Sequence, residues 1–488
     1  MSNLKKIIWY GGYSYLLMPI TLGTNIFLRR WLDPYEVGMI NILILLSTYS
    51  LYSNIGLLSR AEIQLPFLNG SLRNNDYDEL DFYAYKASLF GGWVYSAIVV
   101  AIYYFFYKEI HPKIEIPLII YCAYIAYYQL ASYYITKHRT NGNFIFLAKY
   151  QFIVSASSNL SILIGSYVWG GLGYVIFATG LMALQVKYLK QTTPKIKILK
   201  FDFKKFFHQI KLSRQVLLFG FSALLIRNFD GIIVGAILGP KDLGLYSLAI
   251  IGVTIIYSIT NSVGNVLFPS LQNSLAKDCG NSGCSAYQKY ITAPLIAMAL
   301  ILPLGIGVLY YMIPLLIEWI APTFIPGIRA FQILIWGAYY FSLMNILMSY
   351  FNSSGKQLEV LKIHLVSILF SVTSVGLLRG GGINIVDIAF ATAFCYAAAY
   401  CFMFFKYASA CIKRQQFYKI GFVTLLPPCA ALLNIKAVDY LFTEYRHASD
   451  GYGLLMLVLF GLVSMAEICL FLILSPDIKN NLKFIRSI

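Results

Sequence analysis

The sequence predicts an all-α polytopic membrane protein with about 14 transmembrane helices in two similar halves. Three observations carry this. The 488 residues are 59% hydrophobic and only 12% charged, with a mean hydropathy of +0.68, whereas soluble domains carry about 25% charged residues. Apolar stretches long enough to cross a bilayer recur from end to end. A short Pro, acidic residue, Gly turn occurs twice, six stretches apart.

A span needs about 20 mostly apolar residues to cross a core near 30 Å. That ruler places spans near 7–28, 36–58, 82–106, 116–136, 144–168, 172–188, 215–237, 242–267, 289–311, 328–350, 359–378, 384–407, 419–439 and 452–474. Lys5 and Lys6 before the first apolar run imitate a signal peptide. The run is too long for an h-region, contains Pro19 and lacks a small-x-small cleavage site, so it is expected to stay as the first span. Span six is short, and Pro303, Pro314, Pro322 and Pro326 interrupt the pattern across 289–350.

An even number of spans puts both termini on one side. Of the 38 Lys and Arg, 27 fall on that side and nine on the other, with Lys149 and Arg227 inside spans. Positive charge accumulates on the cytoplasmic side, so both termini are expected in the cytoplasm. The same placement accounts for the net charge of +17 without nucleic acid as a partner. The long basic segment 187–214 interleaves Ile198, Phe203, Phe206, Phe207 and Ile210 with lysines. It is expected to connect the halves, with an amphipathic helix at the anionic inner leaflet as the other possibility.

The repeated turn is Leu32-Asp33-Pro34-Tyr35-Glu36-Val37-Gly38 after the first span and Leu238-Gly239-Pro240-Lys241-Asp242-Leu243-Gly244 after the seventh. Proline presets the first helical turn and the acid favours a helix amino terminus, which gives each copy a local reason. Six intervening spans preserve orientation, so the halves are expected to be parallel repeats, an arrangement that puts a substrate site between two bundles.

Several chemistries are disfavoured. The nearest approach to a phosphate-binding loop, Ser353-Ser354-Gly355-Lys356-Gln357, lacks the upstream Gly and the hydroxyl residue after Lys. Cys279 and Cys284 have no Cys-x-x-Cys or His pair beside them, so no metal or other cofactor is expected. The loops leave no room for an external catalytic domain, and the chain is not expected to be an enzyme.

What remains is charge in apolar surroundings. A charged residue at the centre of a membrane helix costs about 2.5–3.5 kcal/mol on insertion scales and is normally turned to protein or a watery cavity. The cations Arg227, Lys149, Arg60 and Arg30 are candidates for binding an anionic substrate, guanidinium groups matching phosphate bidentately. Arg29 and Arg30 are expected chiefly as interfacial anchors. Asp230, Asp387 and Glu467 are candidates for binding a proton or Na⁺, with Asp230 alternatively pairing with Arg227. Tyr121, Tyr124, Tyr127, Tyr128, Tyr133 and Tyr134 could stack on sugars or simply pack. Gly231 and Gly235 predict close packing of span seven against a neighbour.

The segment Leu238–Ser247, the earlier copy ending at Gly38, and Val266-Leu267-Phe268-Pro269-Ser270-Leu271 at the end of span eight resemble the O-antigen flippases, polysaccharide-biosynthesis transporters of the multidrug/oligosaccharidyl-lipid/polysaccharide exporter superfamily. The resemblance implies two six-helix lobes around a central cavity plus two carboxy-terminal helices. That gives an N-lobe over 1–190, a basic connector over 191–214, a C-lobe over 215–410 and terminal helices over 411–488. It also implies ion-coupled flipping of an undecaprenyl-diphosphate-linked glycan across a bacterial inner membrane. Arg60 and Arg227 fall in regions matching the cationic cavity of the family. Glycan polymerase and chain-length proteins would be partners, and membrane lipid surrounds the chain. A multidrug exporter of the same superfamily, or a membrane glycan polymerase or ligase, is the alternative.

Overall fold

The computed structural model describes residues 19–70, 74–277, 284–377, 382–412 and 417–425, with 427, 428 and 433. Among them there is no strand, and nine helices are long and apolar enough to cross a membrane. The chain divides into two units, Met1–Gly244 and Leu245–Ile488.

In the first unit, α1 covers 19–31 and α2 is Pro34–Ser50. Between them Asp33 caps α2 by accepting from the Glu36 backbone N at 2.8 Å, while the Glu36 carboxylate reaches back to the Asp33 N at 3.4 Å. Pro34 sits at the first helical position, as the turn chemistry predicts. Then come α3, Leu57–Gly70, and α4, Asn74–Ile102, which runs on through a π turn to Tyr107. α5 is Glu115–Thr140, α6 is Phe144–Thr192, and α7 is Phe203–Ile233 with a π turn to Leu238. α5 packs between α4 and α6, α3 packs on α4, α5 and α7, and α2 packs on α5, α6 and α7.

Span two does not form one helix. The sequence predicts a continuous span over 36–58, but the backbone leaves helical geometry between Ser50 and Leu57. Ile55 has φ +55° and Gly56 φ +75°, a left-handed conformation that strains a β-branched residue. The signal for the break is Asn54-Ile55-Gly56, two turn-forming residues flanking Ile55 in an apolar run.

α6 holds two spans. At Trp169 and Gly170 the backbone leaves helical values, Gly170 at φ 60°, ψ −142°, which glycine tolerates without strain. The chain reverses there so tightly that a Cβ built on Gly165 would strike the Gly173 carbonyl, and one on Gly173 the Gly165 carbonyl. The expected spans five and six are thus the two arms of one hairpin.

α8, Pro240–Lys277, begins at the second copy of the repeated turn. In the second unit α9, Cys284–Tyr287, passes through a π turn into α10, Ala293–Ile320, which absorbs Pro303 and Pro314. A 3₁₀ turn, Pro322–Gly327, takes Pro322 and Pro326 and leads into α11, Ile328–Ser353. α12, Gln357–Leu377, and α13, Ile385–Cys411, follow. α11 packs on α13 most extensively, with Gly337 set against the backbone of Ala393 so that a Cβ there would lie 2.7 Å from the Ala393 Cα. Close backbone approach through small residues is how helices associate where lipid removes the hydrophobic driving force. A helix over 417–425 covers the start of span thirteen, and span fourteen lies outside the described residues.

Candidate functional site

The two copies of the repeated turn lie against each other within the first unit. A Cβ on Gly38 would fall on the Pro240 carbonyl, and a Cβ on Gly244 would fall on the Pro34 carbonyl. The matched positions therefore contact each other reciprocally, glycine of one copy to proline of the other. Glu36 ties this corner to the α6 hairpin, its Oε1 accepting from the Gly171 N at 2.8 Å.

Arg227 and Asp230 sit one turn apart on α7, and residues at that spacing share a helix face. Arg227 is half-buried, and Asp230 is 3% exposed. One Asp230 oxygen accepts from the Gly231 N at 2.8 Å, and the carboxylate lies near enough to the Tyr49 phenol to act on it electrostatically. The Tyr49 hydroxyl is buried and has no hydrogen-bond partner among the described residues. Its ring and that of Tyr52 meet Phe221 edge-on at 6.1 and 5.7 Å. A Cβ built on Gly235, farther along the same stretch, would lie 3.3 Å from the Leu243 side chain and 3.9 Å from that of Ile42, the close approach its spacing predicts.

Arg60 belongs to a different level. On α3, its Nε donates to Gln64 Oε1 at 2.8 Å, and one terminal nitrogen donates to the backbone and side-chain oxygens of Gln209. Gln209 in turn donates to Glu79 at 3.0 Å, and Lys205 pairs with the other Glu79 oxygen at 3.1 Å. Partial burial pulls the Arg60 pKa down from the usual arginine value, though guanidinium starts so high that it stays charged. Gln209 precedes Arg227 by five turns of α7, about 27 Å along the axis. The structure thus sets Arg60 and Arg227 at opposite depths and does not gather them into one cluster.

The other candidates are placed as follows. Lys149 is exposed on α6 between buried Ala148 and Tyr150. Arg30 is exposed at the end of α1, whereas Arg29 beside it is 4% exposed and donates to the Asn25 carbonyl. The expected pair of interfacial anchors is therefore one exposed and one buried arginine. Asp387 completes a capping box at the start of α13, accepting from the Asn384 N at 3.1 Å while Asn384 accepts from the Asp387 N at 3.0 Å. Glu467 lies outside the described residues. In the tyrosine cluster, Tyr121, Tyr124 and Tyr128 stack on one another at 4.5 and 5.9 Å, and Tyr133 and Tyr134 are buried.

Two polar features escape a sequence reading. Gln129, fully buried, donates to the Ser50 carbonyl and, at 3.1 Å, to Ser53 Oγ. It thereby adds a second donor to the Ser50 carbonyl, which already accepts from the Ser53 N at 2.8 Å, and ties the broken α2–α3 span to α5. Lys137, a loop charge by sequence, is buried against Asp81 at 2.6 Å, and Tyr133 donates to the same carboxylate at 2.7 Å.

Solved structures resemble the whole chain. The lipid II flippase MurJ in its inward closed conformation superposes with a TM-score of 0.70 at 16% identity, covering 96% of this chain and 99% of that one. A MOP superfamily transporter from Pyrococcus furiosus gives 0.57 at 11%, covering 86% and 96%. The Vibrio cholerae MATE transporter VcmN in its bent form gives 0.51 at 10%, covering 86% and 99%. No match was found among curated proteins. The chain shares its fold with these three solved proteins. Residues 27–322 match the model of the polysaccharide biosynthesis protein family, and the chain belongs to that family.

Proposed function

We propose that the protein flips an undecaprenyl-diphosphate-linked oligosaccharide, a repeat unit of O-antigen or a related surface glycan, from the cytoplasmic to the periplasmic leaflet of the inner membrane. It does so by alternating access coupled to an ion gradient, with both termini in the cytoplasm. The carrying observation is Arg227, half-buried midway along an apolar helix one turn from buried Asp230. A diphosphate and a hydrated glycan cannot enter hydrocarbon unpartnered, and guanidinium groups at two depths, Arg60 and Arg227, can hand the diphosphate on while the lipid tail stays in the bilayer. Lys149 and Arg30 would add positive charge, and Asp230 would take up the coupling ion, with Asp387 and Glu467 as lesser candidates. Membership of a polysaccharide biosynthesis family and a fold shared with a lipid II flippase support this cargo. Glycan polymerase and chain-length proteins would act on the product.

The test is complementation of a deletion strain. Wild-type protein should restore surface glycan, whereas Arg227→Ala should leave lipid-linked repeat units trapped on the cytoplasmic face. Intact surface glycan with loss of drug resistance would instead assign a multidrug exporter. Extension of a lipid-linked glycan by purified protein in liposomes would assign a polymerase or ligase.

A further inference from the structure

We infer that the amino-terminal turns of α7 and the residues just before them form a docking surface for anionic phospholipid. Residues 194–202 lie outside regular secondary structure and α7 starts at Phe203. Ile198 is 86% exposed, Phe203 70% and Phe207 64%. Lys204, Lys211 and Arg214 are exposed too. At 100° per residue these cations fall on the same outward side of the helix as Phe203 and Phe207. Of the neighbouring acids, Asp78 is paired with Lys197 at 2.7 Å and Glu79 with Lys205, while exposed Asp202 caps α7 by accepting from the Lys204 N at 2.8 Å.

The surface stands on a fixed frame. Tyr83 donates to the Asp202 carbonyl at 3.1 Å and accepts from its N at 3.2 Å, and Phe201 packs edge-on against the Tyr83 ring at 5.7 Å. Depth selects the occupant. The helical stretch Phe203–Leu238 has 36 residues, about 54 Å at 1.5 Å per residue, against about 30 Å of hydrocarbon and 40–45 Å with headgroups. A stretch longer than the bilayer is thick is taken up by tilt, and at about 35° from the normal these residues span about 44 Å. That sets the first turns in the headgroup layer opposite Leu238, where phosphates meet the lysines and the exposed phenylalanines share their side.

The test uses the full chain in nanodiscs of equal phosphatidylcholine and phosphatidylglycerol, with retained lipids counted by native mass spectrometry. The wild type should retain phosphatidylglycerol preferentially, and Lys204→Gln/Lys211→Gln should lower that preference by roughly tenfold or more, each basic residue near an anionic leaflet contributing several-fold. Lys204→Arg/Lys211→Arg should keep it. High salt should weaken it in the wild type, a readout that needs no variant. Equal retention of both lipids by the wild type, or a preference unmoved by salt and by the glutamine pair, would overturn the proposal and leave the face to an acidic protein partner.

Discussion

Gly38 and Gly244, the equivalent glycines of the two repeated turns, each leave the space that the other turn's proline carbonyl occupies. Alanine at either position would place its Cβ on backbone, which unlike a flexible side chain cannot swing aside. Gly38→Ala and Gly244→Ala are each expected to abolish flipping in complementation, whereas alanine at Gly180, whose Cβ would meet nothing within 4 Å among the described residues, should be neutral. Full activity of either turn variant would contradict the contact.

Charge at Arg227 and its fork geometry separate in a second experiment. A hydrogen bond to a charged group contributes about 1.5–3 kcal/mol, so Arg227→Ala should reduce glycan export at least tenfold. Lysine keeps the charge as a point without the bidentate fork, so Arg227→Lys should recover only part of it. Equal activity of all three proteins would remove Arg227 from the pathway.

The Lys137–Asp81 pair makes a stability prediction. Removing one partner of a buried pair leaves an uncompensated charge, at about 3–5 kcal/mol. Asp81→Asn and Lys137→Met should each lower the melting temperature in detergent sharply. The double variant Asp81→Leu/Lys137→Met should recover much of the loss, because replacing the whole pair by apolar groups is often neutral. Single variants as stable as the wild type would mean that the pair is solvated.

At the broken span the expected signs are opposite. Gln129→Leu should destabilise by about 0.5–1.5 kcal/mol for each hydrogen bond lost to Ser50 and Ser53, the Ser50 carbonyl keeping the Ser53 N–H. Ile55→Gly should be neutral or stabilising, since a left-handed residue with a side chain costs roughly 1–2 kcal/mol that glycine avoids. Thermal unfolding of both variants reads the signs directly, and a strong loss with Ile55→Gly would argue against the left-handed conformation.

How much was legible beforehand follows from what sequence pattern encodes. Apolar length carries most of the spans, because a bilayer imposes the same ruler on every helix. Pro34 and Pro240 betray their helix starts because proline acts locally. The break at Asn54–Gly56 was overridden by the apolar run around it, since Gln129, which stabilises it, lies on another helix. Lys137 likewise looks like a topological charge until Asp81 is beside it in space. For Arg60 and Arg227 the sequence supplies charge and approximate depth, but the 27 Å between their levels needs α7 as a rule.

The reversal at Trp169–Gly170 sets how the two arms share the bilayer. With Gly165 and Gly173 in close backbone approach, the loop between the arms has no slack, so each arm fixes the depth of the other. Residues inserted at Trp169–Gly170 would uncouple the two depths and let either arm slide without its neighbour.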